Sequence, residues 1–221
     1  MAEKRHPADA LRLGLVLAAA GGFMDAYTYI ARGGVFANAQ TGNLVLLGVR
    51  AFEGDVRALH YLAPVLAFVL GVLACQALRA GQARLRPVGW RQAVLVGEAV
   101  LLAASAFAPQ SCNDAVNAGV SFACAMQVSA FRSLRGQPYA TTMCTGNLRS
   151  GTEALWKGVA ARDGESLRAG GRYFAVIGCF AAGAGAGALL TEAFGEVTAL
   201  FPAGLLLLAG ALLRDGEETE A

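Results

Sequence analysis

Apolar residues in this chain run together in blocks of helix length, with polar residues collected between the blocks rather than alternating with them. Six blocks stand out, at about 11 to 30, 61 to 78, 92 to 108, 114 to 131, 173 to 190 and 197 to 213. Each is too long for a strand and close to the roughly 20 residues that a helix needs to cross a bilayer core. The pattern predicts an all-α polytopic helical membrane protein with six spans. Two further segments, 35 to 52 and 139 to 160, are ambiguous. The first is apolar enough to insert, which leaves a seven-span version open, and the second carries Arg149, Glu153 and Lys157 on one face. The opening MAEKRHPADALRLGLVLAAAGG mimics a secretory signal peptide. Its apolar pattern continues through Phe23 to Ile30, so a retained first helix is expected.

Composition agrees with the membrane class. Hydrophobic residues make up 56% of the 221 and charged residues only 15%, against about 25% charged in an ordinary soluble domain. The net charge of +2, with no basic run interleaved with aromatics, argues against nucleic acid as a partner. Five cysteines without a CxxC suggest neither a disulfide framework nor a zinc site. With only His6 and His60 available, histidine catalysis, a metal centre or another cofactor has little raw material.

The placement of Lys and Arg sets the expected orientation, because positive loops stay on the cytoplasmic side. With six spans and a cytoplasmic N-terminus, only Arg32, Arg50 and Arg57 fall outside, and both termini lie inside. An eight-span version would export the loop RAGQARLRPVGWR with its four arginines, and it is rejected on that ground.

The word Thr-Gly-Asn-Leu occurs twice, at Thr41 and again at Thr145, 104 residues later. The same offset pairs Ala26 with Ala130, Tyr27 with Phe131 and Ile30 with Leu134. Two homologous halves follow, residues 1–108 and 109–221, and three spans in each would invert the second half relative to the first. The two TGN segments would then enter from opposite sides as re-entrant or broken helices. Thr41 and Thr145 are expected to cap them, Gly42 and Gly146 to allow close backbone approach, and Asn43 and Asn147 to offer amides to a small polar or anionic solute near the midplane. Packing and capping devices alone are the alternative reading.

Four polar residues inside apolar blocks are candidates for coupling or for lining a path: Asp25, Glu98, Gln127 and Arg132, the last as a counter-charge to Asp25. A charge at the centre of a span costs about 2.5 to 3.5 kcal/mol, so such residues should face the bundle interior. Gly183 and Gly187, at GxxxG spacing, should bring helices close, inside the bundle or between the subunits of a homodimer. Tyr139 and Trp156 are candidate interface anchors for the second TGN segment.

The ordered combination of GGFMDAYTY, GGVFANAQTGNLVLLG and YATTMCTGNLRSGT resembles the YoaK-like family of bacterial membrane proteins over most of the chain. The resemblance implies a multi-pass protein of the bacterial inner membrane surrounded by lipid, and it implies no particular activity. The sequence therefore suggests a small-solute transporter or channel-like protein. A non-transporting sensor or scaffold is the first alternative. An intramembrane enzyme using Asp25 and Glu98 is the second, and it lacks a nucleophile and base at motif spacing.

Overall fold

The computed structural model describes residues 7–81, 89–131, 133–134, 137–138 and 144–214. Eight α-helices are described: α1 (Pro7–Ala31), α2 (Gln40–Phe52), α3 (Ala58–Ala80), α4 (Trp90–Ser105), α5 (Asn113–Ala130), α6 (Cys144–Ala160), α7 (Gly164–Phe194) and α8 (Leu200–Arg214). A two-residue antiparallel pairing, Ser133–Leu134 with Gln137–Pro138, is the one departure from helix and connection among the described residues.

Local chemistry explains several helix ends. α1 stops where Gly33 and Gly34 take φ of 90° and 80°, and the Gly34 N–H returns to the Tyr29 carbonyl at 3.0 Å. This left-handed ending suits glycine. α7 begins at Gly164, well before the apolar block expected from residue 173, because the Asp163 side chain caps it by accepting from the Glu165 N–H at 3.0 Å. Hydropathy marks only the apolar part of such a helix. Gly195, with φ of 64°, separates α7 from a 3₁₀ turn (Gly195–Ala199) and α8.

Among the described residues, three stretches are long and apolar enough to cross a membrane: Leu11–Ala31, Ala58–Ala80 and the interrupted run Gly164–Leu213. They mark the chain as a membrane protein. α2, with 13 residues, extends only about 20 Å at 1.5 Å per residue. It is too short to cross a hydrocarbon core of roughly 30 Å alone. Apolar side chains stay exposed along α3 (Leu66, Val69, Leu70, Leu73) and α7–α8 (Leu189, Phe201, Leu207, Leu208), surfaces suited to lipid.

The packed helix pairs follow a regular scheme. α1 lies on α7 and α3 on α5; α2 lies on α3 and α6 on α7; α4 meets α5 and α8 meets α1; α4 and α8 pack on each other. Exchanging α1–α4 with α5–α8 leaves this set unchanged. Glycines make the tightest crossings achievable. A Cβ at Gly22 would stand 2.0 Å from the Phe180 carbonyl oxygen, one at Gly183 2.0 Å from that of Ala19, and one at Gly187 2.9 Å from that of Phe23. The GxxxG of α7 is therefore spent on α1. At the α3–α5 crossing, Gly71 has the Phe122 carbonyl in the same position, at 2.2 Å. Leu17, Met24, Leu95, Leu102, Val120, Cys124 and Leu206 fill the core between α1, α4, α5 and α8.

A buried polar seam as the candidate functional site

Asp25 sits on the third quarter of α1 and is only 5% exposed. Its Oδ1 accepts the Asn38 N–H at 2.6 Å, and the Ala37 and Ala39 amides also reach the carboxylate. These amides belong to the connection that leads into α2, where a helix start presents unpaired N–H donors. The chain's own Asp25 thus occupies the anion-binding position expected at the first TGN helix. Cys144, the first residue of α6, also lies within electrostatic range of Asp25, so both TGN helices begin near the same carboxylate.

The first TGN word lies inside the first turn of α2 and the second inside the first turn of α6. Thr41 does not cap α2: the N-cap is Ala39, without a side-chain cap bond, and Thr41 is exposed inside the first turn. Asp25 holds the amides of Ala37, Asn38 and Ala39 just ahead of the helix, whose first residue is Gln40. Thr145 is likewise inside the first turn of α6 and exposed. Asn43 is fully buried and folds its amide back on the connection: Oδ1 accepts the Phe36 N–H at 2.9 Å, and Nδ2 donates to the Phe36 carbonyl at 2.8 Å and to Gln40 Oε1 at 2.9 Å. Gly42 leaves room for the Phe36 ring, which a Cβ would meet at 2.8 Å; that ring stacks on Tyr29 at 4.9 Å. Gly146 has open space around its Cβ position. Asn147 is 3% exposed. α2 packs on α3 and α6 on α7. Asn43 and Asn147 are each the fourth residue of their helix, and both are buried.

A different set of polar side chains does converge. Along α5, Asn117, Ser121, Cys124 and Gln127 recur at spacings of four, three and three, which places them on one face. All four are 1% exposed or less. Glu98 enters from α4, 1% exposed, beside the Cys124 thiol. The Asp25 carboxylate and the Asn38 side chain also lie within range of that thiol, whose Sγ is 3.8 Å from Met24 Sδ. Most of this seam is short of partners. Among the described residues, both Gln127 amide atoms, Ser121 Oγ, Asn38 Oδ1 and Asn117 Oδ1 are buried with no hydrogen bond, and neither Glu98 oxygen has a nitrogen or oxygen donor, the Cys124 thiol being its one hydrogen-bonding neighbour. Buried polar atoms are nearly always paired in folded proteins. A row of orphans is therefore where something other than protein is expected.

At one end the seam is closed by a contrasting arrangement. Arg32, just past α1, is fully buried and donates through Nε to the Tyr27 hydroxyl (2.9 Å), through Nη1 to the Ala108 carbonyl (3.0 Å) and Asn113 Oδ1 (3.1 Å), and through Nη2 to the Ser105 carbonyl (2.5 Å). Asn117 Nδ2 donates to the Arg32 carbonyl at 2.7 Å. Beyond it, a surface cleft of about 440 Å³ is lined by Gly33, Arg50, Arg57, His60, Tyr61 and Asp114, among others. His60 bridges the Asp114 carboxylate and the Gly33 carbonyl there. In the adjoining loop, hydrogen bonding from Arg57 holds the Asp55 carboxyl below the usual carboxylate range. Among the described residues no three His, Cys, Asp or Glu side chains gather as metal ligands.

Residues 13–212 match the family described as "Protein of unknown function (DUF1275)". The chain belongs to the DUF1275 family. The match spans α1 to α8 and agrees with the YoaK-like resemblance at the level of an uncharacterised family. No curated protein and no solved structure matches the chain. The DUF1275 description supplies relatives and no reaction, so the chemistry must be argued from the seam.

Of the sequence candidates, Glu98 lies beside Cys124, Asp25 lies within electrostatic range of the same thiol, and Gln127 shares the Cys124 face of α5, while Arg132 and Tyr139 lie outside the described residues. Trp156 is exposed, and the Arg149–Glu153 pair expected on α6 forms at 2.9 Å. Sequence reasoning missed Asn38, Asn117, Ser121 and Arg32. The α5 residues could have been found by extending the helical period upstream from Gln127. Asn38 had no such signal, because its place depends on the path of the connection into α2.

Proposed function

We propose that this DUF1275 protein is a small-solute transporter or channel-like protein of the bacterial inner membrane, with the buried seam as its working site. The observation that carries the reading is Glu98. A carboxyl group deep among α1, α4 and α5 has no nitrogen or oxygen donor on either oxygen, a costly arrangement unless a proton, an ion or a solute completes it. Gln127 and Ser121 continue the same deficit along α5. Asp25, already held by backbone amides, fixes the connection into α2 and adds negative potential beside Cys124.

The architecture we assign is six spans in two inverted repeats, residues 1–108 and 109–221, with the short α2 and the charged α6 as the helices that do not cross. The exchange-symmetric packing scheme supports two equivalent halves, and an odd number of crossings in each would invert the second. The seam then joins elements of both repeats, α1 and α4 from the first and α5 from the second, as expected for a protein that opens alternately to either side. A sensor or scaffold built on the same seam would bind without flux. An enzyme would turn a substrate over without a gradient.

The test is thermal stabilisation of detergent-purified protein by a panel of small solutes and ions, followed by uptake of each hit in proteoliposomes. A ligand at 100 times its dissociation constant stabilises by about 2.7 kcal/mol. A hit lost in Glu98→Gln and transported by the wild type is the expected result. A hit indifferent to Glu98→Gln but lost in Asn43→Ala and Asn147→Ala variants that still fold would move the site to the TGN helices. Binding without flux would favour the sensor.

A further inference from the structure

We infer that the seam takes a small cation whose charge is carried on N–H donors, ammonium or a primary alkylammonium; the inference rests on the transport reading above and names its substrate class. The orphaned atoms are mainly acceptors. Asn38 Nδ2 donates to the Gly21 carbonyl at 3.2 Å, which fixes the amide and leaves Oδ1 as the free end. Glu98 adds two free oxygens and Gln127 one, against a single free amide nitrogen on Gln127, with the Ser121 hydroxyl able to serve either way. An anion or a carbonyl-rich solute would leave most of these oxygens unpaired. An ammonium group offers only donors.

Charge points the same way. Asp25 and Glu98 both lie beside Cys124, and among the described residues no Lys or Arg forms an ion pair with either. Arg32 sits at the far end of the seam, next to Asn117, with its donors spent on Tyr27, Ser105, Ala108 and Asn113. Its charge keeps a cation away from that end, so Asn38, Glu98, Ser121 and Gln127 form the accepting stretch. Ser121 and Gln127 are six residues apart on one helix, about 9 Å at 1.5 Å per residue. Oxygens spread over nearly two turns do not gather into the shell that a bare alkali ion needs. Directed N–H bonds can be exchanged from one acceptor to the next.

The experiment is uptake of radiolabelled methylammonium by the full-length protein in proteoliposomes at neutral pH, where methylammonium is already almost wholly protonated, with empty vesicles as the baseline. Competition is run with ammonium, tetramethylammonium, potassium and acetate. The expected result is uptake above baseline, competition by ammonium, and at least 10-fold weaker competition by tetramethylammonium, which has the charge without the donors, and by potassium. Glu98→Gln should lower uptake at least 10-fold, and Ser121→Ala several-fold, at unchanged melting temperature. Should Glu98→Gln fail to fold, stabilisation of the wild type by methylammonium but not tetramethylammonium is the separate readout. Uptake no higher than in empty vesicles, or equal competition by tetramethylammonium or potassium, would overturn the inference. Glu98-dependent flux of an anion or a neutral solute would overturn the amine class and leave the transport reading standing, whereas no Glu98-dependent flux of any solute would remove both.

Discussion

Two buried polar groups in this bundle are treated in opposite ways. Arg32 is fully enclosed at one end of α1, and four of its N–H groups find oxygen acceptors, two of them backbone carbonyls at and just past the end of α4. Glu98, equally enclosed in the middle of α4, finds no nitrogen or oxygen donor. The first pattern is that of a fastener, since the bonds to Ser105, Ala108 and Asn113 join the end of α1 to the α4–α5 region. The second is that of a site, since the fold leaves the partner to be supplied. Burial alone does not separate the two; the hydrogen-bond inventory does.

The comparison can be broken most sharply at Arg32. Arg32→Met would strip donors from the Tyr27 hydroxyl and the Ser105 and Ala108 carbonyls, each worth about 1–3 kcal/mol when left buried and unpaired. A loss of at least about 3 kcal/mol is expected, seen as a collapse of melting temperature or of detergent-soluble yield. Asn43→Ala comes next. It frees the Phe36 N–H and carbonyl together, and about 2–3 kcal/mol should go, with solute binding at the seam retained wherever the protein still folds. Glu98→Gln, by contrast, should change stability by less than about 1 kcal/mol, because no bond to a nitrogen or oxygen donor is lost and the Gln oxygen can still accept from the weak Cys124 S–H, while flux falls at least 10-fold. The smallest effect on stability is expected for Ser121→Ala, within about 0.5 kcal/mol, with a several-fold loss of flux as its only visible consequence.

Much of the fold is legible in the sequence. The six apolar blocks each correspond to a helix, and the twin TGN words each lie in the first turn of a short one. Asp25, Glu98 and Gln127 stand out because a polar residue in an apolar run is conspicuous. Their placement about Cys124 is not legible, since it depends on how α1, α4 and α5 are packed. The capping role of Thr41 failed for a related reason: a Thr before Gly-Asn suggests a cap locally, but Asp25, sixteen residues upstream, takes over the free amides through a tertiary contact. Arg32 looked like one more loop charge, because its acceptors on α4 and α5 are more than 70 positions away in the chain.

The central claim is that the unpaired seam works and the paired clusters hold. Its most direct test is solute flux and melting temperature measured together on one reconstituted preparation each of wild type and Glu98→Gln. The account predicts a melting temperature close to that of the wild type with flux reduced at least 10-fold. Flux preserved at unchanged stability would contradict it, and so would a fall in stability as large as that of Arg32→Met, which would make Glu98 one more fastener.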